Sequence, residues 1–463
     1  MLALLAGGVA IVAFDLDTRW FGATDPVNEP AAAPPPEGLA LPKEAAVAPV
    51  SSPPREVTAD PAKVAAAIGP MLQRKRVLGK HIGVLVTDLR TGKPLYRAGS
   101  SLITPASTTK LLTSTAALEA LGPMARFRTM VRWDAARRQV VLVGGGDPFL
   151  ASGPPAGATG YPHKADVVTL AHKAAQALRA KGVRRVRLAF DDSYFSGPGV
   201  NPAWPATYIP EGVVPAISAL WVDEGHAQGS EGFVADPAAE AARVFAVALR
   251  QFRVRVAPEV VRAKAGADAA DLAAVESAPL GEIVERTLEV SDNQAAEVLA
   301  RHVGLAEKQQ GSFVAGTKAV FDTLAKLGVD VSGDKLYDGS GLSRLDRLRT
   351  DTLAAVVRLA ASAEHPELRP VLTGLPVAGF TGSLTYRFDK GPQEAKGRVR
   401  AKTGTLTGVH GLAGVADDAS GARMVFVLVA DQVRLLKNLE AQTLIDRVAG
   451  ALGACTCGVG STP

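Results

Sequence analysis

The chain has 463 residues, 47% of them hydrophobic and 21% charged, which is long and apolar enough for two or three packed domains and excludes a disordered or fibrous protein. Its net charge of +5 comes from 51 basic and 46 acidic residues interleaved along the chain, so no basic bank argues for nucleic acid, and a wall or membrane surface would suit it only weakly. Seven histidines without a pair at helical ligand spacing, and two cysteines one residue apart, leave no metal site.

Residues 2–14, LALLAGGVAIVAF, carry no charge. That is the length of a signal-peptide core and too short to cross a hydrocarbon layer of ~30 Å. On that length residues 1–24 read as a signal or membrane-anchor segment, with a buried N-terminal helix as the competing reading; that no Lys or Arg precedes them and no small-x-small cleavage site follows counts against a cleaved signal. Residues 25–56, beginning DPVNEPAAAPPP, are too rich in Pro and Ala to bury a core and read as an extended tether. An extracytoplasmic location, secreted or anchored, follows.

Organised sequence begins near Thr58. HIGVLVTDLRTGKPLYRAG predicts a strand over 82–86, a turn at Thr91, Gly92, Lys93 and Pro94, and a second short strand, together a hairpin. At the far end, GVHGLAGVADDASGARMVFVLVAD predicts strands over 408–416 and 424–429 around a turn at 417–421. Leu435, Leu436, Leu439, Leu444, Ile445, Val448 and Leu452 then predict an amphipathic helix over 434–452 that packs on this sheet. Strands at both ends with helical segments between imply one α+β domain whose sheet is completed by both halves of the chain, with something inserted. A tail, 455–463, closes the sequence; the spacing of Cys455 and Cys457 strains any bridge between them.

Three stretches carry chemistry. In PASTTKLL, Ser107 stands three residues before Lys110 at a predicted helix start, so both project from one face and the helix N-terminus offers free N–H groups to a developing oxyanion. A serine needs a base, and a lysine serves only when burial or neighbouring cations lower its pKa; Leu111, Ala116, Ala117 and Leu118 supply an apolar helix around it. Alone the pattern is weak. Ser107 also reads as a helix cap, and a second copy, Ser332 to Lys335 in SGDK, sits in a turn and reads as accidental. EVSDNQAAEVLAR adds Ser291 and Asn293, a hydroxyl for a proton relay and an amide, ahead of a helical run. RAKTGTLTG adds Lys402, Thr403, Gly404 and Thr405, a cation and two hydroxyls with a glycine where a ligand needs backbone access. Singly, Asn293 reads as a helix cap and Thr405 as an ordinary strand residue. Together, in the order SxxK, SxN, KTG, they match the serine set of penicillin-binding proteins and β-lactamases.

With these motifs stand LVGGGDPFL, DDSYF, VPAISALWVDEG, DGSGLSR and LPVAGFTGSL. From about Val57 to Leu452 the chain resembles the low-molecular-mass class C penicillin-binding proteins of the D-alanyl-D-alanine carboxypeptidase/endopeptidase type. The resemblance implies a penicillin-binding-protein/β-lactamase-like transpeptidase fold, an antiparallel sheet flanked by helices, with an inserted mainly β domain. The long stretch between Ser107 and Ser291 places that insertion at 135–275, with strands near RQVVLVGG and GVRRVRLAFDD, inside a peptidase domain of 57–134 and 276–454; a third small domain is reduced or missing.

The implied substrates are peptidoglycan stem peptides, with β-lactam antibiotics as covalent inhibitors and no cofactor. By resemblance Ser107 is the nucleophile, Lys110 its base, Ser291 the proton relay and Lys402 the keeper of charge balance. Asn293 meets the substrate amide, Thr403 and Thr405 with Lys402 bind the terminal carboxylate, and the N–H groups of Ser107 and Thr405 form the oxyanion hole. Arg344, with Ser340 beside it, matches a position that meets a side-chain carboxylate; the acid that should meet the free amine is not where the family has it, and Glu211 is the nearest carboxylate. Two other functions fit these residues less well. A β-lactamase needs a deacylating base, and no Glu-x-x-Leu-Asn stretch follows the first motif; a non-catalytic wall scaffold would not require Ser107, Lys110, Ser291 and Lys402 all intact.

Overall fold

The structure is a computed structural model describing residues 57–154, 160–229 and 231–460, so the expected signal or anchor and tether lie outside the described residues. Residues Glu56–Pro463 form one compact unit. Strands are numbered along the chain, as are helices of ten residues or more.

The main sheet is antiparallel, in the order β11 (Val399–Leu406), β12 (Val409–Asp417), β13 (Arg423–Ala430), β2 (Ile82–Asp88) and β3 (Pro94–Gly99). Both predicted hairpins are here, and β13 pairs with β2 in the register Val427 to Leu85, so the two ends of the chain do complete one sheet. The alternation along β13 explains the layering: Val425, Val427 and Val429 enter one core and Met424, Phe426 and Leu428 the other. On the second face lie α1 (Pro61–Leu72) and α9 (Asn438–Ala454), which bring Val64, Ile68, Leu444, Ile445, Val448 and Leu452 into that core. Asp60 starts α1 by accepting the Ala62 N–H at 2.7 Å, with Pro61 at the first helical position.

The first face is covered by helices that frame the site. Among them are α2 (Lys110–Leu121), α5 (Leu280–Glu289), α6 (Asn293–Lys308), α7 (Phe313–Lys326) and α8 (Thr350–Ala360). Helix α2 is buried from Lys110 through Leu118, Thr113, Ser114 and Thr115 included, and forms the centre of this core rather than a surface helix.

Between β5 (Arg128–Asp134) and β9 (Ala270–Glu276) the chain builds a second five-stranded sheet, in the order β8 (Arg255–Arg262), β7 (Arg185–Asp191), β6 (Gln139–Val143), β5 and β9. The stretches RQVVLVGG and GVRRVRLAFDD provide β6 and β7 as expected. Two helices not read from the sequence, α3 (Val167–Ala180) and α4 (Pro237–Gln251), pack with this sheet into a core of its own, through Leu170, Leu178, Phe245 and Leu249. Among the described residues, 192–229 and 231–235 contribute no long helix or strand; Trp204, Ile217 and Trp221 pack instead against Val298, Phe313 and Leu342 beside the site.

Two expectations are corrected. The helix expected over 434–452 begins at Asn438, and Leu435, Leu436 and Leu439 face solvent rather than the sheet. The tail is part of the fold: Cys455 and Cys457 are bridged despite their spacing, because the chain turns between the end of α9 and β14 (Gly458–Gly460) and brings their Cα atoms to 5.3 Å. Strand β14 pairs with β1 (Val57–Ala59), and the buried Asp418 carboxylate collects the N–H groups of Ser420, Ala422, Cys457 and Gly458 at 2.8–3.0 Å. With their sulfurs bonded to each other, the cysteines beside Asp418 are not free as metal ligands.

Candidate active site

Ser107 lies on a single 3-10 turn, Ala106–Thr109, that runs straight into α2. Its neighbours from 103 to 112 are all buried, and Ser107 alone in that run is half-exposed. Lys110, one turn on, is fully buried; its Nζ donates to Ser107 Oγ at 3.0 Å, to Asn293 Oδ1 at 2.7 Å and to the Ser340 carbonyl at 2.8 Å. Burial pulls this ammonium from 10.5 down to about 8, against the opposing charges of Asp338, Glu297 and Asp292.

Asn293 opens α6, but it is not the cap; Asp292 caps the helix by accepting the Ala295 N–H at 2.9 Å, which leaves the Asn293 amide for Lys110. Ser291 precedes the cap in the left-handed region, φ 62°, a conformation a serine holds only where its surroundings enforce it. Lys402 is fully buried on β11, where its Nζ donates to the Thr403 carbonyl at 3.1 Å. Its pKa is pushed well below the usual lysine range by burial and then by the charges of Lys110 and Arg387.

Two glycines explain how β11 and the DGSG loop close on Ser107. A Cβ on Gly404 would stand 2.7 Å from the Pro105 carbonyl oxygen, and one on Gly341, φ 83°, would stand 1.9 Å from that of Ala106. Between them Ala106 is held at φ 48°, a strained value at the residue before the serine. The KTG glycine is therefore a packing requirement of the fold. Thr405 is exposed at the same strand, and Thr403 Oγ1 lies 3.0 Å from Ser383 Oγ.

Arg344 is exposed, its guanidinium donating to the Thr407 carbonyl just past β11 at 3.0 and 3.1 Å. Ser340 needs a correction: its side chain is fully buried, so the hydroxyl faces no ligand, and its carbonyl contacts Lys110. Glu211 is exposed in a turn closed by its own N–H on the Thr207 carbonyl, and the second SxxK copy is exposed too, Ser332 in a turn and Lys335 on an antiparallel bridge to Arg347.

Several residues in the site were not foreseen. Glu297, fully buried on α6, accepts from the Gly339 and Ser340 N–H groups at 2.8–3.1 Å, and its carboxyl is pushed up by burial and by Asp338. Asp338, also buried, accepts from Gly341 N, Ser343 N and Trp204 Nε1. Glu224, from the insertion, neighbours Asp292 and is pushed up to about 9 by burial and that charge. Glu297 stands four residues after Asn293, and DGSG begins with Asp338, so their positions were visible; their burial was not.

The arrangement joins a half-exposed hydroxyl, a buried amine of lowered pKa and an amide through hydrogen bonds, with a second buried amine near enough for the charge of the first to act on it. The sequence matches the D-Ala-D-Ala carboxypeptidase 3 (S13) family over residues 64–231 and 228–452. The chain belongs to this family. It is 36% identical over 383 residues to carboxypeptidase DacB of Mycolicibacterium smegmatis, covering 81% of this chain and 80% of that protein. It is 31% identical over 440 residues to a D-alanyl-D-alanine carboxypeptidase of an Actinomadura species, covering 76% and 78%. Penicillin-binding protein 4 of Haemophilus influenzae, 21% identical, superposes over 85% of this chain and 99% of that one with a TM-score of 0.69; a structure of that protein complexed with a β-lactam gives 0.61 over 83% and 98%. The chain is thus a serine-type D-Ala-D-Ala carboxypeptidase by family, on a penicillin-binding-protein fold.

Proposed function

We propose that Ser107 attacks the carbonyl of the penultimate D-alanine of a peptidoglycan stem peptide and that Lys110 takes its proton. The single observation that carries this is the 3.0 Å contact from Lys110 Nζ to the one half-exposed hydroxyl in a buried run, made by an amine whose pKa has been drawn down to about 8. The C–O bond to Ser107 forms as the amide C–N bond breaks, Ser291 relays a proton to the departing D-alanine amine, and water then hydrolyses the ester. The N–H groups of Ser107 and Thr405 take the oxyanion, Asn293 the substrate amide, and Thr403, Thr405 and Lys402 the terminal carboxylate. A β-lactam stops at the ester because its leaving group stays tethered. The same attack on a D-alanine whose amine partner belongs to another stem peptide would cut a cross-link.

This work belongs outside the cytoplasmic membrane, where the wall is; among the described residues no helix is long and apolar enough to cross a bilayer. Arg344, exposed beside Thr407 past the end of β11, is the group to meet a substrate side-chain carboxylate. The test is kcat/KM for D-alanine release from stem peptides with that carboxylate free or amidated. Wild type should prefer the free acid and Arg344→Ala should lose the preference. No D-alanine release from either peptide would refute the carboxypeptidase reading, and an unchanged preference would remove Arg344 from the substrate site.

A further inference from the structure

The three leucines that the helix at 434–452 was expected to bury are the most conspicuous feature the peptidase leaves unused. Leu435, Leu436 and Leu439 are 66%, 95% and 72% exposed, and Tyr386, 90% exposed, lines the same recess as Leu439. Leu439 also lines a neighbouring recess with Arg74, Lys390 and Arg447. Grouped exposed leucines with a tyrosine are unusual on a soluble surface and mark a contact.

The charge around them selects the partner. The acids of this region are already engaged: Asp389 with Lys396 at 2.8 Å, Glu440 with Lys437 at 2.6 Å, and Asp446 with Arg387 at 2.5 Å. Arg74, Arg434 and Lys390, exposed beside the leucines, leave the rim cationic. We propose that this face, Leu435, Leu436, Leu439 and Tyr386 within a rim of Arg and Lys, rests on an anionic lipid surface, with the leucines among the acyl-chain boundary and the cations on lipid phosphates. A second copy of the chain is the poorer occupant, because a self-complementary contact would bring the same cations together. The sequence supplies a reason why so small a patch suffices: an uncharged segment at 2–14 followed by the Pro- and Ala-rich 25–56 would hold the folded part near a membrane, raising its effective concentration there.

The test uses the full chain with an environment-sensitive fluorophore on Leu436→Cys, and on Val314→Cys as a control, since Val314 is 80% exposed on α7. The native cysteines are bridged, so the introduced thiol is the one that reacts. Acylation by labelled penicillin verifies that each labelled protein is folded. With vesicles of equimolar phosphatidylglycerol and phosphatidylcholine, the label at 436 should shift to the blue and be quenched by brominated lipid, while the label at 314 stays aqueous. The shift should fall several-fold on pure phosphatidylcholine, at high salt, and in Arg74→Glu with Arg434→Glu. The proposal is overturned if the label at 436 stays aqueous, whether the protein sediments with the vesicles or not, or if both labels shift alike. A blue shift that follows protein concentration without vesicles would also overturn it and assign the face to a second copy.

Discussion

At Lys110 two influences oppose each other: burial expels the positive charge, while Asp338, Glu297 and Asp292 hold it. Burial wins, and the amine reaches about 8 instead of 10.5. Below that value the group is protonated and cannot take the Ser107 proton. The rate constant for acylation by labelled penicillin should therefore fall about tenfold per pH unit below about 8 and level off above it. A profile flat from pH 6 to 9 would show that Lys110 is not the base. The stability consequence has the opposite emphasis. The unfolded chain binds the extra proton between about 8 and 10.5, so this group makes the protein more stable as pH rises through that window. Lys402 feels burial and the Lys110 charge in the same direction, so the two buried amines do not both carry full charge cheaply.

At the scale of elements, the site depends on how closely β11 and the DGSG loop approach the turn at Ser107. Gly341→Ala should cost more than about 1 kcal/mol, since φ 83° disfavours any side chain and the new Cβ would sit 1.9 Å from the Ala106 oxygen. It should also slow acylation, because the clash falls on the residue before the nucleophile; thermal unfolding and penicillin labelling read the two effects separately. Elements of this kind differ in how legible they were. The hairpin at 82–99 and the β12–β13 turn were readable because short runs of β-branched and apolar residues bounded by turn residues are local signals. The motif residues were readable because chemistry restricts their spacing. The outward turn of Leu435, Leu436 and Leu439 was not, since an apolar residue at helical spacing carries no mark of which side is covered, and here the helix starts only at Asn438. Nor was the burial of Glu297 and Asp338, which depends on helix α6 meeting a loop some forty residues away, in a contact 42 residues long between Glu297 and Gly339. Helices α3 and α4 were not legible because much of the face each buries is alanine, Ala171, Ala174 and Ala175 in one and Ala238, Ala241 and Ala242 in the other, which marks an apolar stripe only weakly.

Across the whole molecule the two ends of the folded part meet: β1 pairs with β14, and the buried Asp418 is satisfied partly by Cys457 and Gly458 from the terminus. Ending the chain at Ala454 should leave that carboxylate short of donors, at a cost of roughly 1–3 kcal/mol, and lower Tm by several degrees while penicillin acylation at 25 °C persists. An unchanged Tm would show that the terminal strand contributes nothing. Two halves of one sheet, a buried helix and an insertion together present Ser107 to Lys110. The direct measurement is mass spectrometry of the full chain after incubation with benzylpenicillin, with the adduct mapped to its peptide, in wild type and Ser107→Ala. A stable one-to-one adduct on the peptide containing Ser107, absent in Ser107→Ala while its thermal unfolding is changed by no more than the ~1 kcal/mol of a lost polar contact, is the predicted result. An adduct that persists in Ser107→Ala, or maps to another peptide, would contradict it.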